Sequence, residues 1–303
     1  SGSTTDHQGD EIFIQRFEND GSKAGDIIRL FGMEGELADT NPKIQAQSDG
    51  FIVTWSGATS DEQGIEIFIQ RFENNGSKAG DIIRLGGMSG KLLDAEPQIA
   101  VLPNDEFVVT WRGDTQDRQG WDIFVQKFDA QGNFDGDEFR LNGMSGDLRD
   151  MSPQVTALSD GGFMIVWQGW TSDEHGFDIF AQKFISSKIG EKTITIKDGE
   201  TTRLSGMDGN LGDWHPKALA DNEGGAFIVW SGWSSDGQNT DIFVERVGHK
   251  DVDQKARLFG TPENYSDWAP QVAKISNDQF VVSWHGETSN NQGSDIFTQF
   301  FEY

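Results

Sequence analysis

The sequence has no cysteine, few cations and no long apolar run. Without cysteine there are no disulfides, no thiolate metal sites and no cysteine nucleophile. Lys and Arg number 24 against 50 Asp and Glu, a formal charge of −26. Such a surface repels phosphate backbones and anionic lipid, so nucleic acid is not an expected partner, nor is a membrane surface bound through basic patches. No apolar stretch approaches the roughly 18 residues of a membrane span, and the opening SGSTTDHQ has neither a basic nor an apolar region of signal type. Also missing are a nucleophile elbow, a phosphate loop, a zinc helix and a dinucleotide fingerprint.

What the chain does have is itself, several times over. Apolar runs end in Trp at Trp55, Trp111, Trp167, Trp230 and Trp284. A second pattern, of the type Asp-Ile-Phe-Val-Gln, begins at Glu11, Glu66, Asp122, Asp178, Asp241 and Asp295. A third ends in Arg-Leu at Leu30, Leu85, Leu141, Leu204 and Leu258, and a fourth opens at Pro42, Pro97, Pro153, Pro216 and Pro270. Hairpin residues such as Asp49-Gly50 and Asn74-Asn75-Gly76 separate them, and no stretch has a helical period. Each unit reads as four short strands, here a (from Pro), b (to Trp), c (from Asp or Glu) and d (to Arg-Leu). Four antiparallel strands in about 55 residues, repeated five times, predict an all-β chain: a five-bladed β-propeller in one domain, 1–303. The units run 1–41 (partial), 42–96, 97–152, 153–215, 216–269 and 270–303 (partial), and N- and C-terminal strands are expected to close the ring. Six c strands against five of each other kind leave one over, free for edge pairing with another chain.

The b–c spacing, Trp to Phe, is 13 residues in every unit, and the d–a spacing, Leu to Pro, is 12. Strand alternation puts both loops at one end of the strands, which makes that end the expected functional face. It carries Trp121, Trp170, Trp214, Trp233 and Trp268, rings suited to stacking on sugars. His175 and His215 flank them. The d–a loop has Asp39, Asp94, Asp150, Asp213 and Asp267; the b–c loop has Asp61, Asp117, Asp173 and Asp236. Short acidic side chains cap turn amides, and they also accept sugar hydroxyls or ligate a hard cation. The expected ligand contacts are the five loop Trp with Asp173, Asp213, Asp236, Asp267 and His215. Calcium is the candidate cofactor, with Asp61, Asp117, Asp39, Asp94 and Asp150 as candidate ligands. Met33, Met88, Met144 and Met207 read as packing beneath the d–a loop.

The stretches Asp117–Gly132 and Pro153–Trp167 resemble repeats of large secreted bacterial proteins of the repeat-in-toxin and adhesin kind, and the five-unit count is similar to tachylectin-type lectin propellers. That resemblance implies a secreted or surface protein. A motif copied in every unit gives several similar sites, as in multivalent binding, rather than one centre of dissimilar groups. The expectation is therefore a non-enzymatic, lectin-like domain whose partners are glycans or glycoconjugates. The alternatives are a structural or protein-interaction propeller and a glycoside-active propeller enzyme.

Overall fold

The computed structural model describes residues 2–3, 10–30, 32, 38–59, 64–86, 92–115, 120–143, 149–171, 176–189, 192–206, 212–234, 239–249, 255–260, 265–288 and 293–302. Among them are 22 β-strands and no helix, so none is available to cross a membrane. The chain forms two compact units, Ser1–Val101 with Asp105–Leu141, and Leu102–Asn104 with Asn142–Tyr303.

The first unit begins with β1 (Gly2–Ser3), β2 (Asp10–Phe17) and β3 (Lys23–Leu30), a three-stranded sheet. Two antiparallel meanders follow. One comprises β4 (Asp39–Gln47), β5 (Gly50–Ala58), β6 (Gly64–Glu73) and β7 (Lys78–Leu85); the other comprises β8 (Leu92–Val101), β9 (Phe107–Asp114), β10 (Trp121–Phe128) and β11 (Phe139–Leu141). A short parallel contact between β6 and β8 joins them. The second unit holds β12 (Asp150–Ala157), β13 (Phe163–Thr171), β14 (Gly176–Ile189) and β15 (Lys192–Leu204), then β16 (Asp213–Ala220), β17 (Ala226–Trp233), β18 (Thr240–Val247) and β19 (Lys255–Leu258). Its last sheet is three-stranded: β20 (Asp267–Lys274), β21 (Gln279–Glu287) and β22 (Ser294–Glu302).

The repeat spacing translates directly into register. Each b-strand Trp lies opposite the c-strand Phe 13 residues later, as Trp55↔Phe68, Trp111↔Phe124, Trp167↔Phe180, Trp230↔Phe243 and Trp284↔Phe297. Their rings stack at 5.7 to 6.0 Å. Each Arg-Leu leucine faces the c-strand isoleucine, from Ile12↔Leu30 to Ile242↔Leu258. Period-two alternation then gives every meander an aromatic face and an aliphatic one. Sheets stack aliphatic on aromatic. Ile52, Ile67 and Ile69 pack against Trp111, Phe107 and Phe124 in the first unit, and Phe227, Val229 and Ile242 pack against Trp284 and Phe280 in the second.

One expectation fails at the ends of the chain. The ring was to be closed by N- and C-terminal strands, but among the described residues β22 pairs only with β21, and β2 only with β1 and β3. β21 pairs with all nine residues of β22, from Gln279↔Glu302 to Glu287↔Ser294, which leaves β22 as the terminal strand of its sheet.

Candidate functional site

Most of the residues that repeat prove to be scaffold. In each meander the d–a aspartate sits opposite the Gly of Trp-x-Gly, as Asp39↔Gly57, Asp94↔Gly113 and Asp213↔Gly232. Its Oδ1 accepts the indole Nε1–H of the b-strand Trp: Asp39 from Trp55 at 3.0 Å, Asp94 from Trp111 at 3.1 Å, Asp150 from Trp167 at 2.8 Å, Asp213 from Trp230 at 2.9 Å and Asp267 from Trp284 at 3.0 Å. The same carboxylates take the loop amides of Gly32, Gly143, Gly206 and Gly260. A side chain at Gly57, Gly113, Gly169, Gly232 or Gly286 would run into this carboxylate, which is why the position stays Gly.

This geometry corrects two expectations. Asp39, Asp94 and Asp150, taken as cation ligands, and Asp213 and Asp267, taken as sugar contacts, are 1 to 3% exposed. Their oxygens are committed to an indole and, for Asp39, Asp150, Asp213 and Asp267, to a glycine amide as well, out of reach of a ligand. Burial pushes Asp39 and Asp267 up to about 6 and Asp213 to about 8. Among the described residues no group of three His, Asp or Glu is arranged to hold a metal ion. Asp61, Asp117, Asp173, Asp236, His175 and the four Met lie outside the described residues.

A second repeated pair was not anticipated. The acid that opens each c strand pairs with the Arg of Arg-Leu: Glu11 with Arg29, Glu66 with Arg84, Asp122 with Arg140, Asp178 with Arg203, and Asp241 with Arg257 at 2.6 Å. The signal was present in sequence, since acid and Arg recur in step in all five d-strand units.

The residues between these fixed points do not repeat, and they share one face. Cross-strand register aligns, in order, Thr40 with Ser56, Ala95 with Arg112, Met151 with Gln168, Trp214 with Ser231, and Trp268 with His285. Two residues further along b stand Ala58, Asp114, Trp170, Trp233 and Glu287, opposite Ile65, Trp121, Phe177, Thr240 and Ser294. Just before the Pro, Asn41, Glu96, Ser152, His215 and Ala269 all adopt positive φ, between 52° and 58°. A register shift follows in every case, the mark of a β-bulge, which turns the residue out of the ladder.

The first unit has one aromatic here. Trp121 lies beneath the Arg112 guanidinium at 3.9 Å, and Arg112 also reaches Glu96 at 3.6 Å. The second unit is richer. Trp170, 45% exposed, meets Phe177 edge-on at 4.9 Å. Trp214 and Trp233 meet at 6.0 Å, and Trp268 meets the His285 ring at 4.5 Å. Neighbouring sheets are tied at this end: Gln168 Oε1 accepts the backbone N–H of His215 at 3.1 Å, and Thr240 Oγ1 donates to the Asp267 carbonyl at 2.8 Å. His215 is exposed, yet the packing around its ring and Lys217 nearby hold its imidazole below the usual value. Ser231 Oγ, buried between Trp214 and Ile242, has no hydrogen-bond partner. Glu287 is exposed two residues beyond His285 on the same face. Of the expected residues, Trp214 and Trp233 meet each other, Trp170 and Trp268 meet Phe177 and His285 instead, His215 is tied to Gln168 through its backbone, and Trp121 belongs to the first unit. Gln168, Phe177, Ser231, His285 and Glu287 were missed, although their changing residue type from copy to copy was legible.

No known protein-family profile matches the chain, and no curated protein sequence does. Solved structures do. The α-L-arabinofuranosidase Arb93A of Fusarium graminearum is 12% identical, with a TM-score of 0.56 over 97% of this chain and 86% of its own. A protein of unknown function from Dyadobacter fermentans is 12% identical, with a TM-score of 0.52 over 96% and 83%. An α-L-arabinanase of Penicillium chrysogenum, complexed with arabinobiose, is 14% identical, with a TM-score of 0.48 over 68% and 62%; this chain spans less than two thirds of its length. The fold is thus similar to propeller-type proteins. The expectation of a non-enzymatic lectin or adhesin is corrected on this finding: the neighbour of matching fold whose activity is named, Arb93A, is an α-L-arabinofuranosidase and not a lectin.

Proposed function

We propose that the chain is a glycoside-cleaving β-propeller whose meanders are the five blades, with its substrate seat on the aromatic array of the second unit. The observation that carries this reading is the contrast within the repeat. Scaffold residues are copied, while the positions between them gather unlike groups, Trp, His, Gln, Ser and Glu, as a reaction centre requires and a set of identical lectin sites does not. Trp214, Trp233 and Trp268 stack on sugar rings, and Gln168 and Thr240 fix the spacing of the sheets that present them. Hydrolysis needs two carboxyl groups, one to protonate the leaving-group oxygen and one to activate water or attack the anomeric carbon. Glu287 is the first; Asp173 or Asp236, in the b–c segments of the sequence, is the second. Arabinofuranosides are the first substrates to try, since the neighbour of matching fold acts on them.

The test is release of sugar from arabinan and from a panel of aryl glycosides headed by aryl α-L-arabinofuranosides. Turnover is expected, with kcat lost in Glu287→Gln and in one of Asp173→Asn and Asp236→Asn. Trp214→Ala and Trp268→Ala are expected to raise KM about tenfold, which corresponds to roughly 1.4 kcal/mol of lost stacking, while the fold stays intact. Absence of turnover across the panel by the folded protein would sink the reading.

A further inference from the structure

Two apolar sheet faces are left bare, one on each unit, and they are opposite halves of an interface the chain makes repeatedly. In the second unit β22 exposes Ile296 (73%) and Phe300 (72%), which belong to an aliphatic-type face. In the first unit β2 exposes Phe13 (45%) and Phe17 (61%), which belong to an aromatic-type face. The other face of β2 and β3 is occupied: Ile12, Ile14 and Ile28 pack on Trp55, Phe68 and Phe72 of the next sheet. Identical chemistry is buried where Ile179 and Ala181 meet Trp230 and Phe243. Residues 11–30 match 66–85 at every position except Asp20, which is Asn75 in the later copy, so β2 and β3 present the surface that β6 and β7 present.

One position carries the argument further. At the sixth place of the c strand, Arg16 donates to the Asn75 carbonyl of the next c–d hairpin and Arg71 to that of Gln131 at 2.7 Å, while Lys183 donates to the Gly224 carbonyl at 2.7 Å in the turn between β16 and β17. In β22 that place is Phe300. A cation reaching toward a hairpin turn has become an exposed aromatic ring. The corresponding turn on the bare face, Asp20-Gly21, is open, with nothing within 4 Å of where a Gly21 side chain would begin.

We propose that these faces form a head-to-tail interface between copies of this chain, β20–β22 of one copy covering β2 and β3 of the next, with Phe300 over the Asp20-Gly21 turn. The occupant is a second copy because the interface already recurs between successive sheets within each unit, with the same residue types in the same register. The contact is heterologous, two different patches, so it propagates into rings or filaments rather than stopping at a symmetric dimer. A charge of −26 per copy opposes it, so salt strengthens it by screening.

Sedimentation velocity across a wide range of protein concentration, at low and high salt, tests this. The wild type is expected to grow in mass with concentration, more steeply at high salt. The double variants Ile296→Glu/Phe300→Glu and Phe13→Glu/Phe17→Glu are each expected to sediment as single copies, both altering exposed side chains. Mixed together, each supplies the face the other lacks, and the mixture is expected to form two-copy complexes and no larger ones. A wild type that remains a single copy under all conditions overturns the proposal, as does association that survives in either double variant alone.

Discussion

The two units use one scaffold to present different surfaces. Thr40 and Ala95 in the first stand where Trp214 and Trp268 stand in the second, and Ala58 and Asp114 correspond to Trp170 and Trp233. Beneath them nothing changes: Asp39 and Asp94 hold Trp55 and Trp111 as Asp213 and Asp267 hold Trp230 and Trp284. The lesson is that repetition marks the residues that make the fold, and departure from repetition marks those available for chemistry. A repeated Asp in a polar loop looked like a ligand; its recurrence was the sign that it was structural.

The strongest way to break this comparison is to remove a repeated residue. Asp213→Ala leaves the Trp230 indole N–H and the Gly206 amide buried without acceptors. At about 1–3 kcal/mol for each of the two orphaned donors, a loss of roughly 2–6 kcal/mol is expected in denaturant unfolding. Asp213→Asn keeps an acceptor oxygen and should recover most of it. Trp268→Ala, by contrast, is expected to change ligand handling far more than stability.

A pH titration sharpens the same distinction. Burial raises the folded-state values of Asp39 and Asp267 to about 6 and of Asp213 to about 8, against 3.8 unfolded. Groups raised in this way contribute stability that is complete below 3.8 and lost as pH rises through the folded values. The Tm is therefore expected to climb as pH falls from about 8.5 to about 5, and Asp213→Asn should flatten the upper part of that slope. A Tm that rises with pH over this window would contradict the burial-dominated reading.

The smallest effect concerns the bulge. Ala269 holds a positive φ of 52° and is exposed, so Ala269→Gly relieves a backbone conformation that disfavours a Cβ while making the unfolded chain more flexible. A net stabilisation of about 0.5 kcal/mol is expected from thermal unfolding. Destabilisation would show that the alanine methyl packs usefully at the turn.

The repeat spacing was enough to read strand order and hairpins; the register came from the structure, where Trp and Phe 13 residues apart are directly opposed and Leu of Arg-Leu faces its Ile. Local rules carried this far because strand alternation and hairpin length are properties of short segments. The pairing of Asp213 with Trp230 joins residues 17 apart across a sheet, and spacing alone did not say whether the carboxylate turned inward or outward. Glu287 and His285 were passed over because each occurs once at its repeat position, and one copy gives a periodic reading nothing to count.

By itself, then, the sequence determined an all-β chain of repeated antiparallel meanders with an aromatic and an aliphatic face on each. Tertiary structure alone decided which acids became buried anchors and which side chains were left at the strand ends. It also decided that β2 would remain with β3 and that β22 would stay an edge. The physical reason is that alternation assigns a residue to a face, whereas burial of that face depends on which sheet comes to lie against it.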